Sequence, residues 1–189
     1  MTPLPALIVI SGPPGTGKTT LARQLARTVG CPAVCRDEIK EGMAHAAPGF
    51  APGPGDELNR RTLPVFFGVI ELLLRAGVTT AAEAAFQDQV WRPRLAPLLP
   101  LARLLVVHCA VDPDTAFDRI LRRRAEDGAR RAHADPGPAD RAAFREQLRN
   151  FSRLSLAVPS VEVDTTSGYR PGLDEIAALV SGAAGRGGG

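Results

Sequence analysis

The chain has 189 residues, 44% hydrophobic and 23% charged, with a net charge of +3 at pH 7. That length suits one domain with a real core, the composition is that of a globular chain, and so mild a charge speaks against an extended nucleic-acid surface. Only Lys18 and Lys40 among the 23 basic residues are lysines, beside abundant Ala, Gly and Pro, so arginine richness alone says little about function. No apolar stretch reaches the ~20 residues that span a bilayer, and the N-terminal apolar run has strand length and lacks the charged segment of a secretory leader. Cys31, Cys35 and Cys109 form no C-x-x-C pair, and two residues four apart on an extended segment lie about 13 Å from each other, too far for a disulfide. The expected setting is a reducing cytoplasm.

Apolar, β-prone runs recur at Leu7–Ile10, Ala33–Cys35, Val78–Ala82, Leu104–Ala110 and Val161–Val163, with helical patterns over 18–29, 37–46, 56–76, 88–99, 113–127, 140–156 and 172–182. Strands alternating with helices predict a parallel sheet covered on both faces. Leu104-Leu105-Val106-Val107 is nearly continuous, as a strand buried on both sides should be. The Pro- and Gly-rich segments at 48–55 and 127–140 read as loops, and the tail 182–189 as a disordered extension. One domain over residues 1–181 is expected.

The first connection carries the strongest signal. Residues 12–19, Gly-Pro-Pro-Gly-Thr-Gly-Lys-Thr, form a complete G-x-x-x-x-G-K-[ST] loop between the first strand and the first helix. In that context Gly12, Pro13, Pro14, Gly15, Thr16, Gly17, Lys18, Thr19 and Thr20 form a phosphate cradle. Backbone amides and the helix dipole face the phosphates, Lys18 reaches the β- and γ-phosphates, and the Thr19 hydroxyl ligates Mg²⁺. ATP and Mg²⁺ are therefore the expected ligands. No N-K-x-D guanine motif occurs, the strand Leu104–Cys109 ends without a carboxylate, and no room exists for a separate helical lid domain. A small P-loop kinase remains.

Residues 35–42, Cys-Arg-Asp-Glu-Ile-Lys-Glu-Gly, place Asp37 where the second strand passes into a helix, the end of an open sheet at which ligands bind. There Asp37 can serve as a general base, as a helix N-cap, or as both. The loop and this second segment together resemble the family of polynucleotide 5′-hydroxyl kinases, chloramphenicol phosphotransferase and zeta-toxin-like kinases, often labelled AAA-type ATP-binding proteins. The resemblance implies a three-layer α/β/α fold with a five-stranded parallel sheet in the order 2-3-1-4-5 and a short lid. It also implies that Asp37 takes the proton of the acceptor hydroxyl.

Further matches follow along the chain. Glu83, after Val78–Ala82, resembles the strand-end acid that contacts Mg²⁺-bound water or the acceptor; a satisfied acid at a strand edge is the plainer alternative. Arg119 and Arg123, four apart and so on one helix face, resemble a pair whose first member lies near adenine and whose second reaches phosphate. Arg130 and His133 stand at the spacing of a mobile lid. The turn Thr165–Ser167, before Tyr169-Arg170-Pro171, resembles the one passing the adenine edge. Against these stands a solvated arginine face around Arg122–Arg124.

The acceptor site is expected from 42–62 and 140–156, with Phe50, Arg60, Arg61, Phe66, Phe67 and Trp91 as candidates; Phe66, Phe67 and Ile70 have core periodicity. No aromatic and basic interleaving marks a nucleic-acid groove, which leaves a polynucleotide acceptor open but unsupported. The expectation is a kinase with Lys18, Asp37, Arg123 and Arg130 catalytic, Arg119 on the nucleotide, Thr19 on the metal, and Asp37, Glu83 and Arg60 toward a hydroxylated small-molecule or nucleotide acceptor. The alternative is a P-loop ATPase or nucleotide-binding regulatory module without an acceptor.

Overall fold

The computed structural model describes residues 3–53, 55–126, 128 and 132–182. Five parallel strands, β1 (Ala6–Ser11), β2 (Ala33–Cys35), β3 (Thr80–Glu83), β4 (Arg103–Ala110) and β5 (Ser160–Asp164), form one sheet in the order β2-β3-β1-β4-β5. This is the expected order. All of β1 is buried because helices cover both faces of the sheet, which is why its sequence is apolar without alternation.

Alternate residues feed two cores. Ala6, Ile8 and Ile10 of β1 pack with Leu21 and Leu25 of α1 (Lys18–Val29) and Ile176 and Val180 of α7 (Leu173–Gly182). Leu7 and Val9 face α3 (Glu57–Arg75) and α4 (Asp88–Leu95). Helix α3 buries Leu58, Thr62, Phe66, Ile70 and Leu74, a strict four-residue spacing that draws one stripe along a helix. The core periodicity read for Phe66 and Ile70 is thus met, and Phe67 packs at the edge of the same cluster. α2 (Arg36–His45) follows β2 directly, and α5 (Pro113–Glu126) follows β4. α6 (Arg141–Arg149) is clamped to α5 by Phe117 against Phe144, by Arg141 over the Phe117 ring, and by Arg141 and Arg145 on Asp114.

Three expected elements differ in their bounds by two residues or more. The third strand runs Thr80–Glu83, so Glu83 is inside it. The helix expected over 88–99 stops at Leu95 and continues as a 3-10 turn over Ala96–Leu101, because Pro97 and Pro100 supply no N–H for α-helical bonds. The helix expected over 140–156 ends at Arg149. Beyond it the chain runs as a strap tied to Asp88, whose backbone N–H donates to the Ser152 carbonyl and whose carboxylate accepts from the Ser155 N–H. The buried carboxylate gains a backbone partner that a continued helix would have consumed.

Candidate active site

The phosphate loop leaves β1 at Ser11 and turns into α1 at Gly17, which has φ 75°. At Gly15, φ is 81° and an added Cβ would lie 2.4 Å from the Ala116 carbonyl oxygen, so no side chain fits. The loop is braced from within: Thr16 Oγ1 donates to the Pro13 carbonyl at 2.8 Å and Lys18 Nζ to the same carbonyl at 3.0 Å. Thr165 Oγ1 at the end of β5 donates to the Thr16 carbonyl at 2.7 Å, tying the loop to the sheet.

Lys18, Thr19 and Glu83 form the charged centre. Thr19 Oγ1 donates to Glu83 Oε2 at 3.1 Å, and Lys18 Nζ lies 3.9 Å from Glu83 Oε1. Strand β3 sits between β2 and β1, with Glu83 level with Cys35 on one side and Ile10 on the other. The acid therefore stands on an inner strand rather than at a sheet edge. Burial pushes its carboxyl above the usual range; the Lys18 ammonium opposes this, Asp37 adds to it, and the Thr19 hydroxyl opposes it.

Asp37 lies in the first turn of α2, two residues beyond Cys35, which occupies the cap position. The N-cap reading of Asp37 is accordingly corrected: β2 runs straight into the helix, so the cap falls on its last residue. Arg36 Nη1 donates to Asp37 Oδ1 at 3.1 Å, while Arg36 Nη2 donates to Asn59 Oδ1 at 2.9 Å. Behind them Lys40 and Asp56 form a buried ion pair at 2.8 Å, and Asp56 accepts from the N–H and side-chain amide of Asn59. A chain of hydrogen bonds thus runs from the interface of α2 and α3 to the carboxylate expected to act as base.

Arg119 reaches from α5 to the turn after β5, donating to the carbonyls of Thr165 at 2.8 Å and Thr166 at 3.0 Å. With Arg123, Gly15, Gly17, Thr20 and Tyr169 it lines a hollow of about 200 Å³ beside the phosphate loop. His133 crosses to α2, its Nε2 3.0 Å from Glu41 Oε1, so the segment carrying it lies against the helix that bears Asp37. Arg130 lies outside the described residues, as does the tail 183–189.

Other candidates are not gathered here. Arg60 is exposed and donates to the Gly55 carbonyl, and Arg61 pairs with Glu57 one turn away. Trp91 belongs to the core rather than to an acceptor site: it is 7% exposed and packs against Phe66, Phe67 and Phe86. Phe50 stands 5.8 Å from Lys40 Nζ, over the buried ion pair.

A family model described as an AAA domain matches residues 7–154, spanning the phosphate loop, Asp37, Glu83, α5 and α6. The chain belongs to this AAA-domain family. No curated protein matches the sequence. Among solved structures, a candidate kinase from Chloroflexus aurantiacus is similar with 25% identity and a TM-score of 0.83, over 95% of this chain and 98% of that one. A gluconokinase from Sinorhizobium meliloti shares the fold at 18% identity and TM-score 0.61, over 97% and 95% of the two chains. The APS kinase of Mycobacterium tuberculosis, solved with AMPPNP and APS, does so at 15% identity and TM-score 0.57, over 96% and 98%. The fold of this AAA-domain chain is that of the small P-loop kinases.

Within that fold, three participants escaped the reading of the sequence. Thr165 stands in the turn expected at the adenine edge, and its hydroxyl also ties the loop to the sheet. Tyr169 lines the hollow beside Arg119. Asn59 supplies the second hold on Arg36. None has a motif of its own; each is recruited across the chain. Among the described residues no helix is long and apolar enough to cross a membrane.

Proposed function

We propose that the protein is an ATP-dependent kinase that transfers the γ-phosphate to a hydroxyl group, with Asp37 as the general base. The observation that carries this is the convergence, at the carboxyl ends of β1, β2 and β3, of an ammonium, a hydroxyl and two carboxylates. Lys18 and the loop amides bind the β- and γ-phosphates, and the hollow between Arg119 and Tyr169 accepts the base and ribose. Asp37, positioned by Arg36, takes the proton of the acceptor hydroxyl as its oxygen attacks phosphorus. The bond from the γ-phosphorus to the bridging oxygen breaks, and ADP leaves.

Among the described residues no three His, Cys, Asp or Glu side chains converge as a cation cage. The donor set fits Mg²⁺ held by Thr19 Oγ1, phosphate oxygens and water, with Glu83 as the acid behind the hydroxyl. Bound there, Mg²⁺ would neutralise charge on the transferring phosphoryl oxygens. Glu83→Gln keeps the shape and an acceptor for Thr19 but loses the charge. It should raise the Mg²⁺ concentration for half-maximal activity by about 10- to 100-fold, read by a Mg²⁺ titration of label transfer. An unchanged titration would remove Glu83 from the metal site.

The reading is tested by incubating the protein with ATP labelled in the γ-phosphate and a panel of hydroxylated compounds. Transfer of label to one of them is expected. Label appearing only as inorganic phosphate, at a rate indifferent to every acceptor, would make the protein an ATPase instead.

A further inference from the structure

Helix α3 has an outer face as regular as its buried one. Opposite the stripe from Leu58 to Leu74, Val65, Val69 and Leu72 stand 43%, 36% and 69% exposed. Single exposed apolar side chains are ordinary, but three of the seven large ones among the described residues share this one helix. Arg61, Val65, Gly68, Leu72 and Arg75 follow one another in steps of four and three, the spacing that keeps a seam along one side of a helix. Gly68 stands at the middle of that seam, well inside a 19-residue helix, where glycine is the poorest choice after proline. No neighbour within the chain calls for it, since an added Cβ would meet no atom within 4 Å.

We propose that this face joins two copies of the chain, with α3 packed antiparallel on the partner's α3 about a two-fold axis near Gly68. The separation of packed helices is set by the side chains at the contact, so a missing Cβ at the crossing lets the two backbones approach closely. The charges at the two ends make the face its own complement. Near the amino end Arg61 Nη1 lies 3.6 Å from Glu57 Oε1, and near the carboxyl end Arg75 Nη2 lies 2.7 Å from Glu71 Oε1, with all four side chains open to solvent. A two-fold interface brings each end of the helix against the other end of its copy. Arg61 then comes within reach of the partner's Glu71, and Glu57 within reach of the partner's Arg75. Parallel pairing would instead set every charge against its like, which is costly. The balance of two acids and two arginines also differs from the basic polar face of a helix that lies on anionic lipid. A helix of 19 residues is about 28 Å long and ~10 Å wide. That footprint is below the ~800 Å² per partner of a standard stable interface, so the dimer is expected to be weak and to form at micromolar concentration.

Sedimentation velocity of the full chain from ~1 to ~500 µM tests this, because association follows mass action. The wild type should pass from monomer toward dimer across that range. Leu72→Glu changes a side chain already in solvent, so the fold should hold in a thermal melt while the dimer weakens roughly tenfold or more. Gly68→Leu is the sharper variant. Its side chain has open space in the monomer, so a merely sticky patch would associate more tightly, whereas a close-packed seam should weaken by about tenfold or more. Glu71→Arg should weaken the dimer by about fivefold, and adding Arg61→Glu should restore it, which only antiparallel pairing allows. A monomer at every concentration overturns the proposal, as does a dimer indifferent to Leu72→Glu and Gly68→Leu. Tighter association of Gly68→Leu, or no rescue by the charge exchange, overturns the antiparallel seam. A monomer that co-sediments with phosphatidylserine vesicles, and ceases to with Leu72→Glu, gives the face to a membrane surface and overturns the dimer.

Discussion

Asp37→Ala is expected to slow phosphoryl transfer by about 10²- to 10⁴-fold, the usual worth of a positioned general base, while the affinity for ATP stays near that of the wild type. The separation follows from where the groups sit. ATP affinity is assigned to the loop amides, Lys18 and the hollow beside Arg119, which are carried by the phosphate loop, α1 and α5, whereas Asp37 is carried by α2. Arg36, which does contact Asp37, is held independently by Asn59, so removing the carboxylate leaves the surrounding backbone and the guanidinium in place. Single-turnover label transfer and equilibrium ATP binding, measured on the same variant, read the two quantities separately. Undiminished transfer would remove Asp37 from the chemistry. Equal losses in both would make it a binding residue.

The second large effect is on stability. Lys40→Met should lower the unfolding free energy by about 3–5 kcal/mol, because it strands a buried carboxylate. Lys40 and Asp56 side chains are 3% and 8% exposed, their ion pair measures 2.8 Å, and Asp56 also caps α3 through the Asn59 N–H. At about 2–4 °C per kcal/mol for a chain of this size, the midpoint should fall by roughly 10 °C in a thermal melt. Lys40→Met combined with Asp56→Leu should recover most of that loss, since apolar replacement of both partners leaves no charge uncompensated, although the lost cap costs about 1 kcal/mol. A double variant as unstable as the single one would contradict this account of the pair.

The same pair sets an acid limb. Burial pushes the Asp56 carboxyl up, but the Lys40 ammonium and the amides of Asn59 and Gly53 outweigh it, and its pKa lies below the ordinary value. A carboxyl lowered by folding stabilises the folded state above its unfolded pKa and loses that contribution as pH falls through the folded value. Stability should therefore decline below about pH 4, and Asp56→Asn should flatten that decline in urea melts at stepped pH.

How much of this was readable in the amino-acid order depends on distance along the chain. The phosphate loop is local, with strand, glycines and helix in one stretch of 24 residues from Ala6 to Val29, so it is plain in the sequence. Helix α3 is equally plain, because its buried residues repeat every four positions. Glu83 is legible only as a strand-end acid of the kind that contacts Mg²⁺-bound water or the acceptor; that β3 lies beside β1 and brings it to Lys18 and Thr19 comes from the strand order. The hydrogen bonds behind Asp37 join residues 16 and 23 positions apart, and no pattern announces such pairs. Trp91 is a candidate acceptor contact in the sequence, and only tertiary packing against Phe66 and Phe86 shows that it belongs to the core. The end of α6 was set by Asp88, far away in sequence, rather than by any breaker at the site.

The account stands on the grip of the phosphate loop, and a calorimetric titration of MgATP into the wild type and Lys18→Met tests it most directly. Saturable binding at sub-millimolar nucleotide is predicted for the wild type. Loss of the charge-assisted contacts of one ammonium, each worth about 1.5–3 kcal/mol, should weaken the variant roughly tenfold or more. No heat of binding from the folded wild type, or equal affinity in the two proteins, would contradict it.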